Sequence, residues 1–228
     1  FLSSLTSMTK LKHFAADISS NCEELAAALN KKTLKSLKIH GSSEESNLFQ
    51  KLDPMVSLQE LTIFEVVDVT SLTNRLLFPN LEHLGIYCDT ISDEDIAQII
   101  QCHSVINLNV MAKRASTLTA EAICLSNTIQ KFSCVRESFS TDDFHKILSN
   151  RSLREIFCIM NEDRLPLLRG TDLESISMFP NAQISGYYDV LKTLPNLKYV
   201  ASYFRGSPPY FAYDEEMLYS LEHIRIYM

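Results

Sequence analysis

A three-point apolar motif, L-x-x-L-x-I, returns along this chain at a nearly constant interval, and that period constrains the fold more than any other feature. It is clearest at Leu81, Leu84 and Ile86. Matching triplets stand at Leu11/Phe14/Ala16, Leu34/Leu37/Ile39, Leu58/Leu61/Ile63, Val105/Leu108/Val110 and Ile129/Phe132/Cys134. Four more follow at Leu153/Ile156/Cys158, Leu173/Ile176/Met178, Leu197/Val200/Ser202 and Leu221/Ile224/Ile226. Successive first positions lie 23, 24, 23, 24, 24, 24, 20, 24 and 24 residues apart. Chance does not space ten triplets so evenly, so the chain reads as copies of one unit.

The second half of the unit recurs as well. Counted from the first apolar position, offsets +15, +18 and +19 hold Ile96/Ile99/Ile100, Ala120/Ile123/Cys124 and Phe144/Ile147/Leu148. This i, i+3, i+4 stripe predicts the buried face of a short helix. Helix start signals precede several copies, at Ser20-x-x-Glu23, Ser42-x-x-Glu45, Ser92-x-x-Asp95 and Ser140-x-x-Asp143. There a hydroxyl can accept from an orphan backbone N–H while the acid favours the helix N-terminus. Each unit is thus expected to be a short strand, a turn and a short helix. The seventh, "NEDRLPLLRGT", is four residues shorter, and its Pro166 and Gly170 argue against a full helical turn. A local irregularity in curvature is expected between units seven and eight.

These residues resemble the leucine-rich repeat superfamily, whose signature is L-x-x-L-x-L-x-x-N/C-x-L, over nearly all 228 residues. The chain departs from the pattern at the ninth place, where only Asn161 and Asn181 are in register, and in the third apolar column at Ala16 and Ser202. The resemblance implies a curved α/β solenoid of about ten repeats over residues 1–228. Its helical segments look most like the intracellular classes: substrate receptors of ubiquitin ligases or, as the alternative, the ligand-sensing or autoinhibitory segment of a cytosolic innate-immune receptor. Residues 1–228 contain no F-box-like segment, so the ligase role comes from the resemblance alone. Elementary packing agrees with the curvature. Strands stack about 4.8 Å apart and helices about 8–10 Å, so an array of such units bends with its strands inside. Ten strands would line a face about 45 Å long. The chain begins inside a repeat and stops directly after a strand, so flanking domains of a longer protein are expected.

Composition excludes several classes. Apolar residues make up 46% and charged residues 21%, which supports a buried core rather than disorder. A formal charge of −7 argues against a nucleic-acid partner, which needs a basic stripe. No apolar run approaches the roughly 18–20 residues of a membrane span, and the opening "FLSSLTSMTK" makes a poor signal peptide. Six cysteines without a C-x-x-C suggest reduced, buried thiols and a cytoplasmic or nuclear home. Cys134 and Cys158 share an apolar column on adjacent strands and are read as two thiols rather than a bridge. The one sequon, Asn150-Arg151-Ser152, is read as a chance match.

In L-x-x-L-x-L-x, the residues flanking and separating the last two apolar positions point away from the core, onto the concave face. Through the fifth unit those columns read as mixed and mostly polar: His13, Ala15, Asp17; Ser36, Lys38, His40; Glu60, Thr62, Phe64; His83, Gly85, Tyr87; Asn107, Asn109, Met111. Lys131, Ser133 and Val135 mark a transition. The later units present Phe157, Ile159, Phe179, Tyr199, Tyr203, His223, Arg225 and Tyr227. Exposed aromatics with Arg mark contact surfaces, so these eight are the candidate protein- or peptide-binding residues. The competing reading is cover by a flanking segment of the same protein. Tyr210, Phe211 and Tyr213 in "RGSPPYFAYDEE" either extend the patch or fill the convex core. Catalysis finds little support: phosphate loops, H-E-x-x-H and G-x-S-x-G are absent, and His13 and His83 lie about 14 Å apart by strand spacing, too far to share a metal. No cofactor is expected.

Overall fold

The computed structural model describes residues 5, 7–18, 22–41, 48–65, 70–134, 138–180, 187–203 and 223–227. The apolar triplets form strands β1 (His13–Ile18), β2 (Ser36–Gly41), β3 (Glu60–Phe64), β4 (His83–Tyr87) and β5 (Asn107–Val110). They continue as β6 (Lys131–Cys134), β7 (Glu155–Met160), β8 (Ser175–Pro180), β9 (Tyr199–Tyr203) and β10 (His223–Tyr227). All ten join one parallel sheet in strict sequence order. The result is a solenoid-like α/β fold.

A main-chain clip sets the step. The carbonyl just before each of strands β1 to β8 accepts two successive N–H groups of the next unit: Lys12 O takes Lys35 and Ser36, and Lys35 O takes Gln59 and Glu60. Gln59, Glu82, Ile106, Gln130, Arg154 and Glu174 repeat the arrangement, with N···O distances of 2.7–3.1 Å. Equivalent side chains therefore stack in columns. Leu37, Leu61, Leu84, Leu108, Phe132, Ile156, Ile176 and Val200 form one buried column; Ile39, Ile63, Ile86, Val110, Cys134, Cys158 and Met178 form another. Burying one such aliphatic side chain contributes about 1.5–3 kcal/mol. In the same column of the ninth unit Ser202 stands as a buried hydroxyl, 3.2 Å from Tyr187 Oη.

Behind the sheet run helices α1 (Cys22–Leu29), α2 (Asp93–Cys102), α3 (Thr117–Leu125), α4 (Thr141–Leu148) and α5 (Tyr187–Leu191). α2 packs on α3, and α3 on α4. Ser92 caps α2 by accepting from Asp95 N at 3.1 Å, and Ser140 with Asp143 completes a reciprocal capping box on α4. The start signals at Ser20 and Ser42 lie outside the described residues. The stripe is buried as expected in α2 and α4, whereas in α3 Cys124 is only half-buried and Thr119 and Ala122 are buried instead. Thr119 Oγ1 donates to Asp93 Oδ1 at 2.6 Å, tying the helix to the preceding unit.

Not every unit carries an α-helix. Phe49–Lys51 and Thr70–Thr73 are 3-10 turns. In the first, Asp53 takes the place of the third apolar stripe position and Pro54 disfavours α geometry before it. The short seventh unit does form a helical turn, a 3-10 segment at Leu165–Leu168 with Pro166 near its start, where the missing N–H costs nothing. Gly170, at φ +73°, then supplies the left-handed bend.

Side chains staple neighbouring units across this layer. Asn150 Nδ2 donates to Ile123 O (2.6 Å) and Ser126 O (3.0 Å), so the sequon nitrogen is buried and engaged. Asp93 accepts from Ser116 N, Ser116 Oγ, Leu118 N, Thr119 N and Thr119 Oγ1 at 2.6–3.1 Å, capping α3 from the preceding unit. Burial by itself would raise the Asp93 pKa, but the bonds from Thr119, Ser116 and Leu118 outweigh it and hold the carboxyl below its ordinary value. A depressed folded-state pKa stabilises above the unfolded value, about 3.9, and that stability is lost as pH falls through the folded value. Asp93→Asn is therefore expected to destabilise the protein by about 1–2 kcal/mol at pH 7 in urea unfolding. The gap to wild type should shrink below about pH 4.

Candidate binding face

The strand positions that alternate with the core columns form three columns on the opposite face. The first runs His13, Ser36, Glu60, His83, Asn107, Lys131, Glu155, Ser175, Tyr199 and His223. The second runs Ala15, Lys38, Thr62, Gly85, Asn109, Ser133, Phe157, Ser177, Ala201 and Arg225. The third contains Asp17, His40, Phe64 and Tyr87 and, further along, Ile159 beside Phe179 and Tyr203 beside Tyr227.

Of the eight candidate residues, Phe157, Ile159, Phe179 and Tyr199 are half-buried on this face. The Phe157 and Phe179 rings meet at 5.2 Å between centroids and 35° between planes, a diagonal contact from β7 to β8. Tyr203, His223, Arg225 and Tyr227 occupy β9 and β10 in the register above, but their side chains lie outside the described residues. So do Val135 and the 205–216 segment with Tyr210, Phe211 and Tyr213.

Before β7 the face is mixed in composition, as expected, and three of its side chains form a ladder. In the third column His40 stacks on Phe64 at 5.7 Å and 28°, and Phe64 on Tyr87 at 4.6 Å and 23°. These residues come from β2, β3 and β4, so the ladder is continuous across three strands. Beyond it, His40 Nδ1 lies 3.7 Å from Asp17 Oδ1. Glu65, at φ +49°, bends the chain directly after Phe64 and donates its N–H to Tyr87 O at 3.0 Å. Reading the sequence one unit at a time hides this ladder. The signal was His40, Phe64 and Tyr87 recurring 24 and 23 residues apart at one unit position.

Between the ladder and the Phe157–Phe179 pair lies a hollow of about 410 Å³. Thr62, Gly85, Asn109 and Ser133 make its low floor, Glu60, His83, Asn107, Lys131 and Glu155 one wall, and Tyr87 and Phe157 its apolar parts. Lys131 Nζ and Glu155 Oε1 pair at 2.8 Å. Asn109 Nδ2 donates to Tyr87 Oη at 2.6 Å, and Asn107 Nδ2 lies 2.6 Å from His83 Nδ1. The Oδ1 atoms of both asparagines are buried without a hydrogen-bond partner among the described residues. Burial raises the Tyr87 pKa, opposed by the bond from Asn109. Among the described residues no group of His, Cys, Asp or Glu could hold a metal ion, and no helix is long and apolar enough to cross a membrane.

Gly85 explains the ring's position. A Cβ there would stand 3.0 Å from Tyr87 Cε2 and 3.1 Å from Thr62 Cγ2, so the tyrosine ring leans along its strand over the glycine. No protein-family model matches the sequence, and no curated protein matches it. Gly85→Ala is expected to push the Tyr87 ring off the floor and break its bond with Asn109. Stability should fall by about 1 kcal/mol in urea unfolding, and the Tyr87 ring resonances should shift in NMR spectra.

Proposed function

We propose that this chain is a non-enzymatic recognition module of the leucine-rich-repeat type, with about ten repeats, holding a protein or peptide on the open face of its sheet. The observation that carries the reading is the pair of aromatic clusters, His40–Phe64–Tyr87 and Phe157–Phe179, half-exposed or exposed on either side of one hollow. Rigid aromatic area bordering a polar depression suits association, because rings contribute large contact area at low ordering cost. The buried thiols support a reducing compartment, cytoplasmic or nuclear. By resemblance alone, the reading extends to a substrate receptor of a ubiquitin ligase.

A double variant, Phe157→Ala with Phe179→Ala, tests it. Proteins retained by the immobilised wild-type chain and quantified by mass spectrometry should be lost from the variant, with far-UV circular dichroism unchanged. An identical retained set on a folded variant would remove the Phe157–Phe179 pair from the binding surface.

A further inference from the structure

We propose that the edge at which the strands begin is a peripheral membrane-binding rim, fitted to an anionic lipid surface. It lies apart from the open face and stands without the reading of that face.

Parallel strands in sequence order all begin on one edge, so the loops that enter them form a continuous rim. In each unit the rim is the eight-residue stretch ending one place after the triplet's first apolar position, as in 5–12, 28–35 and 75–82. Units one to nine hold 11 Lys and Arg there against 4 Asp and Glu; the whole chain has 21 against 28, which leaves 10 against 24 elsewhere. The net charge of −7 therefore hides a basic edge on an acidic body. The same stretch of the tenth unit carries three glutamates, so the basic run ends before it.

The first two units are its densest part, with Lys10, Lys12, Lys31, Lys32 and Lys35 and no acid. Lys12 O accepts from Lys35 N–H at 2.8 Å and Lys32 Nζ donates to Met8 O at 2.9 Å, so the two loops lie side by side. Lys10, Lys12, Lys31 and Lys35 are exposed and join no ion pair among the described residues. Helix polarity does not explain the cluster. Lys31 and Lys32 follow the end of α1, where a cation is favoured, but Lys12 and Lys35 lead straight into strands. The next loop brings one acid, Asp53, to this part of the rim.

Among the described residues five large apolar side chains stand exposed, and four of them, Met8, Val56, Leu76 and Leu125, lie on this rim. Asn80 Nδ2 donates to Val56 O at 2.7 Å and Met55 N–H to Leu77 O at 2.8 Å, which sets the Val56 and Leu76 loops against each other. Separate aliphatic side chains among lysines match the headgroup boundary of a bilayer, where the apolar part enters the acyl layer and the cation stays with the phosphates. Lysine, a hydrated point charge on a flexible stem, suits such a diffuse layer of anions. Nucleic acid is gripped by arginine forks and stacked aromatic rings, and the first two units supply neither to the rim. Seated on a bilayer by this edge, the strands stand along the membrane normal and the open face stays accessible from the side.

The full chain, mixed with phosphatidylcholine vesicles containing about 30 mol% phosphatidylserine, should sediment with them at low salt and stay in the supernatant with phosphatidylcholine alone. About 0.5 M NaCl should release it. Lys12→Gln with Lys35→Gln should weaken partition about fivefold per lysine and so about 25-fold together. Val56→Ser with Leu76→Ser should weaken it about tenfold, with far-UV circular dichroism unchanged in both variants. Lys113→Gln, beyond the end of β5 at the opposite edge, should leave partition unchanged. No partition into the anionic vesicles, equal partition into neutral ones, or unchanged partition of either double variant overturns the proposal. If polyuridylate or polyglutamate binds while anionic vesicles do not, the membrane is overturned as the occupant of the rim. The open face is tested apart, because Phe157→Ala with Phe179→Ala should leave vesicle partition intact.

Discussion

One carbonyl per unit, accepting two N–H groups from the next, holds the architecture in step. The acceptors run Lys12, Lys35, Gln59, Glu82, Ile106, Gln130, Arg154 and Glu174, so they reproduce the sequence period as a hydrogen-bond period. Because strand side chains alternate, a slip of one residue would turn each buried Leu and Ile to the open face and bring polar residues inside. Clip and apolar columns therefore specify the same register. Each unit buries its apolar face largely against its neighbours, so stability accumulates along the array instead of around one centre.

Register also makes the open face a set of columns, in which a property is written once per unit. The hollow exists because four successive second-column residues, Thr62, Gly85, Asn109 and Ser133, are small while their flanks are not. The floor is polar and tied across units: Asn109 Nδ2 donates to Tyr87 Oη at 2.6 Å, and Asn107 Nδ2 lies 2.6 Å from His83 Nδ1.

The strands were legible because three apolar positions repeated at a fixed interval leave a single parallel stacking order. The helical layer was less so. Asp53 with Pro54 and the shortened seventh unit replace α-helix with 3-10 turns, and in α3 Thr119, bonded to the preceding unit's Asp93, is buried beside the expected Ala120 and Ile123 while Cys124 is half-buried. Phe157 and Phe179 stand out in the sequence as aromatic residues of the later units, although their ring contact does not. His40, Phe64 and Tyr87 were assigned to the same face but not read as a cluster, because each stands among polar neighbours in its own unit. Stacking is a relation between units, and only the register reveals it.

The seventh unit shows how the open face of the sheet is insulated from the layer behind it. It is four residues shorter, yet Arg154 O still accepts from Glu174 and Ser175 N–H, so the sheet keeps its step. The missing length is absorbed on the helical side, where Arg164 is buried. Its guanidinium donates to the carbonyls of Phe139 and Ile159 and lies 5.3 Å from the centre of the Phe144 ring. Burial nearby pushes the Cys158 thiol up to about 12, the Arg164 charge offsetting only part of that, which leaves the sulfur protonated and chemically quiet. A cation held by main-chain carbonyls and an aromatic face can fill space vacated by a helix without a carboxylate counterpart. Since the irregularity is contained there, Phe157 and Phe179 remain on adjacent strands paired in register. The unit most altered in length therefore still contributes its aromatic side chain to the face at the same position as every other.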